Sequence, residues 1–212
     1  MSAADLDVLS SKLSRLFSDG PQAEAFSRLL PHAVVRLAAG RPVTPAELAA
    51  ATGRTAAEVG RLLQQLPGVE LDDAGNLVGM GLTLRPTPHR FEVEGRSLYT
   101  WCAFDALLFP VILGKTVRVR SPCPGTEVPV RARVSPAGLE ELDPPEAVVS
   151  LRVPDTFENL RGSFCGFVHF FRSASAAADW LSSRPDAVVL SVDEAFALGR
   201  RLACDRFGVG SS

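Results

Sequence analysis

Two cysteines and one aspartate are the residues of this sequence best suited to chemistry. Cys102 and Asp105 lie three positions apart in an apolar segment, and Cys165 lies in a second such segment. If residues 98–109 form a helix, positions i and i+3 share a face, so the thiol and the carboxyl can act on one bound atom. Thiolates select soft metals, and a carboxylic acid beside them can transfer a proton to a group that the metal carries. The pattern therefore indicates chemistry on a metal-bound group.

The surroundings of Asp105 favour a functional role for it. The residue follows Phe104 and precedes the apolar run 106–113, where an unpaired carboxylate is costly. An apolar environment raises the proton affinity of a carboxylate and suits it to general acid catalysis near neutral pH. The alternative is a surface aspartate on a helix that ends or kinks at Pro110.

The four cysteines of the chain form no CxxC pair, which disfavours a zinc ribbon or a thioredoxin-like redox motif. A free cysteine is most often a small buried hydrophobic residue, and this alternative stays open for Cys102 and Cys165. Cys123 lies between two prolines and is expected to be structural. Cys204 is expected to pack within the last helix.

The composition is ordinary for a globular protein, with 46% hydrophobic and 22% charged residues among 212. The net charge is −2, and neither half has the basic excess that nucleic-acid binding needs. No apolar run reaches the roughly 18 residues that cross a bilayer. The N-terminus lacks the pattern of a signal peptide, so we expect a cytoplasmic protein without a membrane partner.

The N-terminal part of the chain has the pattern of a winged helix-turn-helix. Two helices are predicted within residues 1–40. Thr44 and Thr55 are suited to cap two further helices, since each precedes a glutamate by three residues, the spacing of a capping box. The segment 69–84 indicates a hairpin, so a winged helix-turn-helix-like domain is predicted over residues 1–85.

This module is not expected to bind DNA. A recognition helix should present several basic or amide side chains to the groove. The second helix of the pair offers Arg54, Arg61, Gln64 and Gln65 but also Glu58, and the module as a whole is acidic. A packing or lid domain is the preferred interpretation.

Residues 86–212 are predicted to form an α+β domain with a mostly antiparallel sheet flanked by helices. The Arg-Pro-Thr-Pro segment 85–88 restricts the backbone and marks the boundary. Cys165 is expected in the middle of a strand over residues 164–171. Further strands are expected at 91–93, 116–120, 128–134, 147–153 and 187–191, and helices at 174–183 and 192–207.

The run from Gly79 to Ser121 closely resembles the organomercurial (alkylmercury) lyases, above all in the segment Trp-Cys-Ala-Phe-Asp, which contains Cys102 and Asp105. Residues 163–171 and 192–199 resemble the same family. The resemblance covers nearly the whole chain, from about residue 30 to residue 202. One departure is Gly166, where some relatives have a second cysteine after the first.

The resemblance implies an enzyme of mercury resistance and detoxification, which cleaves the carbon–mercury bond of R–Hg⁺ to give the hydrocarbon R–H and Hg(II). Cys102 and Cys165 would be the thiolates that bind mercury, and Asp105 would take up and donate protons. No cofactor is implied, but external cytosolic thiols would be needed for turnover, with mercuric reductase as a candidate acceptor of Hg(II). Three neighbouring aromatic residues are expected to line the pocket: Trp101, Phe104 and Phe164.

Two alternatives stay open from the residues alone. A thiol-based metal sensor on a winged helix would need a basic recognition helix and a dimer that reads DNA. A structural protein with zinc at Cys102, Cys123 and Cys165 would hold about one zinc per chain. The lyase is preferred because only this function accounts for an acid beside soft ligands.

Overall fold

The N-terminal helices follow the capping pattern of the sequence. The structure is a computed structural model that describes residues 2–126, 128–158 and 160–209. Four helices come first: α1 (Ala3–Leu16), α2 (Pro21–Leu37), α3 (Pro45–Thr52) and α4 (Ala56–Gln65). Thr44 caps α3 and Thr55 caps α4, and each forms the expected capping box with the glutamate three residues later.

An antiparallel sheet of eight strands forms the centre of the molecule, in the order β1-β2-β3-β5-β4-β6-β7-β8. In chain order the strands are β1 (Glu70–Leu71), β2 (Leu77–Met80), β3 (Leu82–Thr83), β4 (His89–Val93), β5 (Arg96–Thr100), β6 (Val117–Pro122), β7 (Pro129–Ser135) and β8 (Gly138–Asp143). The predicted mixture of helices and antiparallel sheet is therefore confirmed. The predicted hairpin joins this sheet through the pairing of Leu82 with Thr100. The division of the chain at residue 85 stays a prediction.

The remaining elements include a second, smaller sheet. Three strands pair antiparallel in the order β10-β9-β11, with β9 (Val148–Leu151) between β10 (Phe170–Phe171) and β11 (Val188–Ser191). Helix α6 (Ala174–Ser182) precedes β11, and α7 (Val192–Phe207) follows it. Among the described helices, none is both long and apolar enough to span a membrane.

Helix α5 (Ala103–Leu113) is the central element of the hydrophobic core. It packs between the large sheet, α2 and α7. Every residue of α5 is buried except Leu113 and Asp105, which are half-buried. Asp105 is the one polar residue of the helix, and its Oδ2 atom is inaccessible to solvent. The sequence thus places a single carboxyl on an otherwise apolar helix.

The prediction of a helix from residue 98 was wrong for its first residues. Residues 96–100 form β5, which a two-residue turn at Glu94 and Gly95 joins to β4. Both turn residues have positive φ, at 50° and 76°, as a tight hairpin turn requires. The helix therefore begins only after Cys102.

The predicted strand around Cys165 was also wrong. Leu160–Phe164 form a π-helical turn and Cys165–Phe167 a 3₁₀ turn, and only Phe170–Phe171 pair as a strand. A short apolar run cannot be assigned to strand or helix by its periodicity alone, and tertiary packing decides here.

Candidate active site

Hydrogen bonds from three segments of the chain fix the backbone at and around Cys102. The residue is the N-cap of α5 and has an extended backbone. Its carbonyl accepts a hydrogen bond from the Thr100 hydroxyl at 3.0 Å. The amide of Trp101, the residue before it, donates to the carbonyl of Gly81 at 2.9 Å. The amide of Ala103, the residue after it, donates to the carbonyl of Val168 at 3.2 Å. The side chain of Cys102 is fully buried.

Gly81 lies in the turn between β2 and β3, and this turn can lie close to α5 because Gly81 has no side chain. Its φ is +76°, and a Cβ at this position would lie 2.6 Å from the ring carbon Cζ of Phe109 in α5. Any other residue would have to displace that ring. The turn between β2 and β3 can therefore lie directly against α5 and hold Trp101 and Cys102 in place.

Asp105 lies in the first turn of α5, three residues after the N-cap. Its carboxyl faces the Cys102 thiol and the backbone amides of Cys102 and Trp101, and these contacts lower its pKa. Burial raises the pKa more strongly, with a net rise to about 7. Among the described residues, its Oδ2 atom has no hydrogen-bond partner and is inaccessible to solvent. Asp105 can therefore both accept and donate a proton near neutral pH.

Cys165 meets the other two groups from a different element. It begins the 3₁₀ turn after the π-helical turn, and its carbonyl accepts from the amide of Val168 at 3.2 Å. The carbonyl of Val168 also accepts a hydrogen bond from the amide of Ala103, and this bond connects the turn to the start of α5. The two sulfurs and a carboxylate oxygen of Asp105 lie within 4.8 Å of one another. The structure thus brings together the three predicted residues.

The pKa values of both thiols are raised, which favours their protonated forms. Burial raises the pKa of Cys102 well above its usual range, and the neighbouring Cys165 and Asp105 raise it further. For Cys165, the contact with Cys102 lowers the pKa, but burial and Asp105 raise it, and the net direction is upward. A soft metal that binds here must displace two protons, and Asp105 is the adjacent group that can accept one.

A surface cavity of about 460 Å³ leads to this cluster. Cys165 lines it and is 4% exposed, whereas Cys102 is 0% exposed and does not line it. The other lining residues come from several segments of the chain: Pro88, His89, Trp101, Pro122, Cys123, Pro124, Gly125, Arg161, Gly166 and His169. A ligand in the cavity would meet the Cys165 thiol first.

The predicted pocket residues occupy two kinds of position. Trp101 lines the cavity. Phe104 and Phe164 lie in the hydrophobic core, where their rings pack edge to face with centroids 5.9 Å apart. These two rings support the backbone that carries Cys102 and Cys165, and they are not part of the cavity wall.

The two other cysteines lie apart from the cluster. Cys123 is buried between its prolines and packs in a small second core with Phe171 and Ala177. It is not among the ligand groups that lie together, so the described residues do not assemble the zinc set Cys102, Cys123 and Cys165. Cys204 is half-buried in α7, as expected.

Sequence reasoning missed the polar residues around the cavity. The Nδ1 atom of His89 lies 2.9 Å from the Ser121 hydroxyl. The His169 ring donates through Nε2 to the carbonyl of Gly166 at 3.0 Å. Arg161 forms an ion pair with the buried Glu70 of β1 and lies over the Trp101 ring at 5.3 Å. The Glu70–Arg161 pair is 91 residues apart in the chain, and no local pattern points to it.

Comparisons with known proteins agree on one family. The family model described as alkylmercury lyase matches residues 82–204, and the model described as the helix-turn-helix domain of alkylmercury lyase matches residues 8–81. The alkylmercury lyase of Staphylococcus epidermidis is 47% identical over 93% of this chain and 91% of its own length. That of Pseudomonas putida is 43% identical over 94% of both chains. Among solved structures, the mercury-bound form of MerB2 has the same fold, with a TM-score of 0.76, 24% identity and coverage of 93% of this chain and 98% of that one.

Proposed function

This chain belongs to the alkylmercury lyase family, and we propose that Cys102, Cys165 and Asp105 carry out the cleavage of the carbon–mercury bond. One observation carries this assignment: two sulfurs and a carboxylate oxygen lie within 4.8 Å of one another. Two thiolates suit a very soft metal, and the acid beside them suits protonation of the carbon.

Mercury capture begins at Cys165, because this thiol lines the cavity and Cys102 lies behind it. The sulfur of Cys165 bonds to the mercury of R–Hg⁺, and its proton passes to the Asp105 carboxylate. Asp105 releases that proton through the cavity, the sulfur of Cys102 then bonds to the same mercury atom, and the Cys102 proton passes to Asp105. Two thiolates on mercury push electron density towards the carbon and weaken the carbon–mercury bond.

Asp105 supplies the proton that the departing carbon needs. A carbanion is a very poor leaving group in water, so the carbon must be protonated as its bond to mercury breaks. A carboxyl with a pKa of about 7 can take a thiol proton and return it to carbon. In total, R–Hg⁺ and two thiols give R–H, one mercury atom bound to two sulfurs, and one released proton. No oxidation state changes, so we expect no redox or organic cofactor.

External thiols are the proposed second substrate. Hg(II) held by two thiolates leaves slowly unless other thiols exchange onto it, and we expect cytosolic thiols or mercuric reductase to receive it. We place the enzyme in the cytoplasm for this reason, since that compartment keeps thiols reduced.

Hydrocarbon release is the direct test of the activity. Purified protein incubated with phenylmercury and excess thiol should release benzene into the headspace. Tight mercury binding without benzene would refute the proposed chemistry. A DNA-binding metal sensor is not favoured, since the relatives that match nearly the whole chain are enzymes.

A further inference from the structure

We propose that the cavity beside Cys165 is the docking site of the thiol that removes Hg(II), and that it selects thiols that carry a carboxylate. This inference rests on the proposed function, because it assumes that Hg(II) remains on Cys102 and Cys165 after the hydrocarbon leaves. It assigns thiols that carry a carboxylate as ligands of the cavity, and it assigns Arg161 as the residue that binds the carboxylate.

The cavity wall offers an anion one arginine and, among its described residues, no carboxylate that would repel it. Among the described residues that line it there is no aspartate or glutamate. Burial lowers the pKa of His89 to about 4 and also lowers that of His169, so both rings are neutral at pH 7. Arg161 is then the one lining side chain with a formal charge among the described residues, in a protein whose net charge is −2.

Arg161 has hydrogen-bond donors left for a ligand. Its Nη1 donates to Glu70, which is 6% exposed and does not line the cavity. The Arg161 side chain itself is 45% exposed. A guanidinium has five donor hydrogens in a planar fork that matches a carboxylate, so the ion pair with Glu70 does not exhaust it.

Trp101 lies beside Arg161 in the wall of the cavity. It lines the cavity next to Arg161, and its indole Nε1–H is buried and has no hydrogen-bond partner among the described residues. The guanidinium of Arg161 lies over the indole ring of Trp101, so the ring supports the group that would bind the carboxylate.

The position of Cys165 sets the order of exchange. The incoming thiol reaches mercury from the side of the cavity, where Cys165 and not Cys102 lines the wall. Its sulfur bonds to mercury, the bond between mercury and Cys165 breaks, and the thiol proton passes to the Cys165 sulfur. A second thiol displaces Cys102 in the same way. The products are Hg(SR′)₂ and two protein thiols, with no change of oxidation state.

The test measures removal of Hg(II) from protein loaded with one equivalent of HgCl₂. The two probes are 3-mercaptopropionate and 3-mercapto-1-propanol, with rates expressed per concentration of thiolate. We expect the carboxylate thiol to react about tenfold faster, as one charge-assisted hydrogen bond would produce. Arg161→Gln should abolish this preference and Arg161→Lys should keep part of it. Arg118→Gln, which changes an exposed arginine on the large sheet, should leave it intact.

Equal rates for the two thiols on the wild-type protein would overturn the proposal whether or not any variant folds. A preference that persists in Arg161→Gln would also overturn it. Failure of the proposed function has a different signature, because benzene would then not form from phenylmercury in a single turnover, which requires no removal of Hg(II).

Discussion

Cys102 and Asp105 occupy the N-cap and the third helical position of α5, so that a thiol and a carboxyl face each other across one helical turn. In a capping box the same two positions hold a hydroxyl residue and a glutamate or glutamine that satisfy the backbone. Here Cys102 makes no side-chain cap hydrogen bond. The geometry that elsewhere stabilises a helix end places a proton acceptor beside a buried thiol.

Asp105→Asn should separate mercury binding from bond cleavage. The amide preserves the shape of the side chain but cannot carry the proton, so single-turnover benzene release should fall by about 10²- to 10⁴-fold. The two thiols should still retain one Hg(II) per chain through dialysis. Full-rate benzene release by this variant would exclude Asp105 as the proton carrier.

The same substitution should change how stability depends on pH. The carboxyl has a pKa of about 7 in the folded protein and 3.8 as its ordinary value. Between these values the folded state holds a proton that the unfolded state has lost, so the contribution of this group to stability is greatest below about pH 4 and declines as pH rises towards 7. The neutral amide of the variant would carry no such penalty. The Tm of Asp105→Asn minus that of wild type should therefore rise from about pH 4 to about 7 and then level off. A constant difference would contradict the raised pKa.

Glu70→Ala should weaken the link between β1 and the segment that carries Cys165. Glu70 is buried, accepts from the Thr83 hydroxyl and pairs with Arg161. Its removal leaves these partners unsatisfied, and we expect the free energy of unfolding in urea to fall by about 1 to 3 kcal/mol. Glu92→Ala, which removes an exposed glutamate paired with Arg118, should change stability little. If the two substitutions lowered the free energy of unfolding equally, the contacts of Glu70 would not stabilise the link between β1 and the segment that carries Cys165.

The helices with strong local signals could be predicted from the sequence. The capping boxes at Thr44 and Thr55 are determined within four residues, and both are present. The family resemblance and the predicted enzyme are confirmed by relatives at 43% and 47% identity. These features depend on local sequence or on long matching segments, and neither requires knowledge of tertiary contacts.

The surroundings of the site could not be predicted, because they depend on contacts between distant segments. Cys165 lies in a 3₁₀ turn and not in a strand, since packing against α5 outweighs the apolar pattern. Phe104 and Phe164 are close to the cysteines in sequence but pack into the core. Arg161 and His89 line the cavity without any motif that marks them.

Joint capture of mercury by Cys102 and Cys165 is the step on which bond cleavage depends, and three alanine variants test it most directly. Benzene release from phenylmercury with excess thiol should be abolished in Cys102→Ala and in Cys165→Ala. Cys204→Ala removes a half-buried thiol outside the cluster and should match wild type. If either Cys102→Ala or Cys165→Ala released benzene at the wild-type rate, the two-thiol mechanism would be wrong.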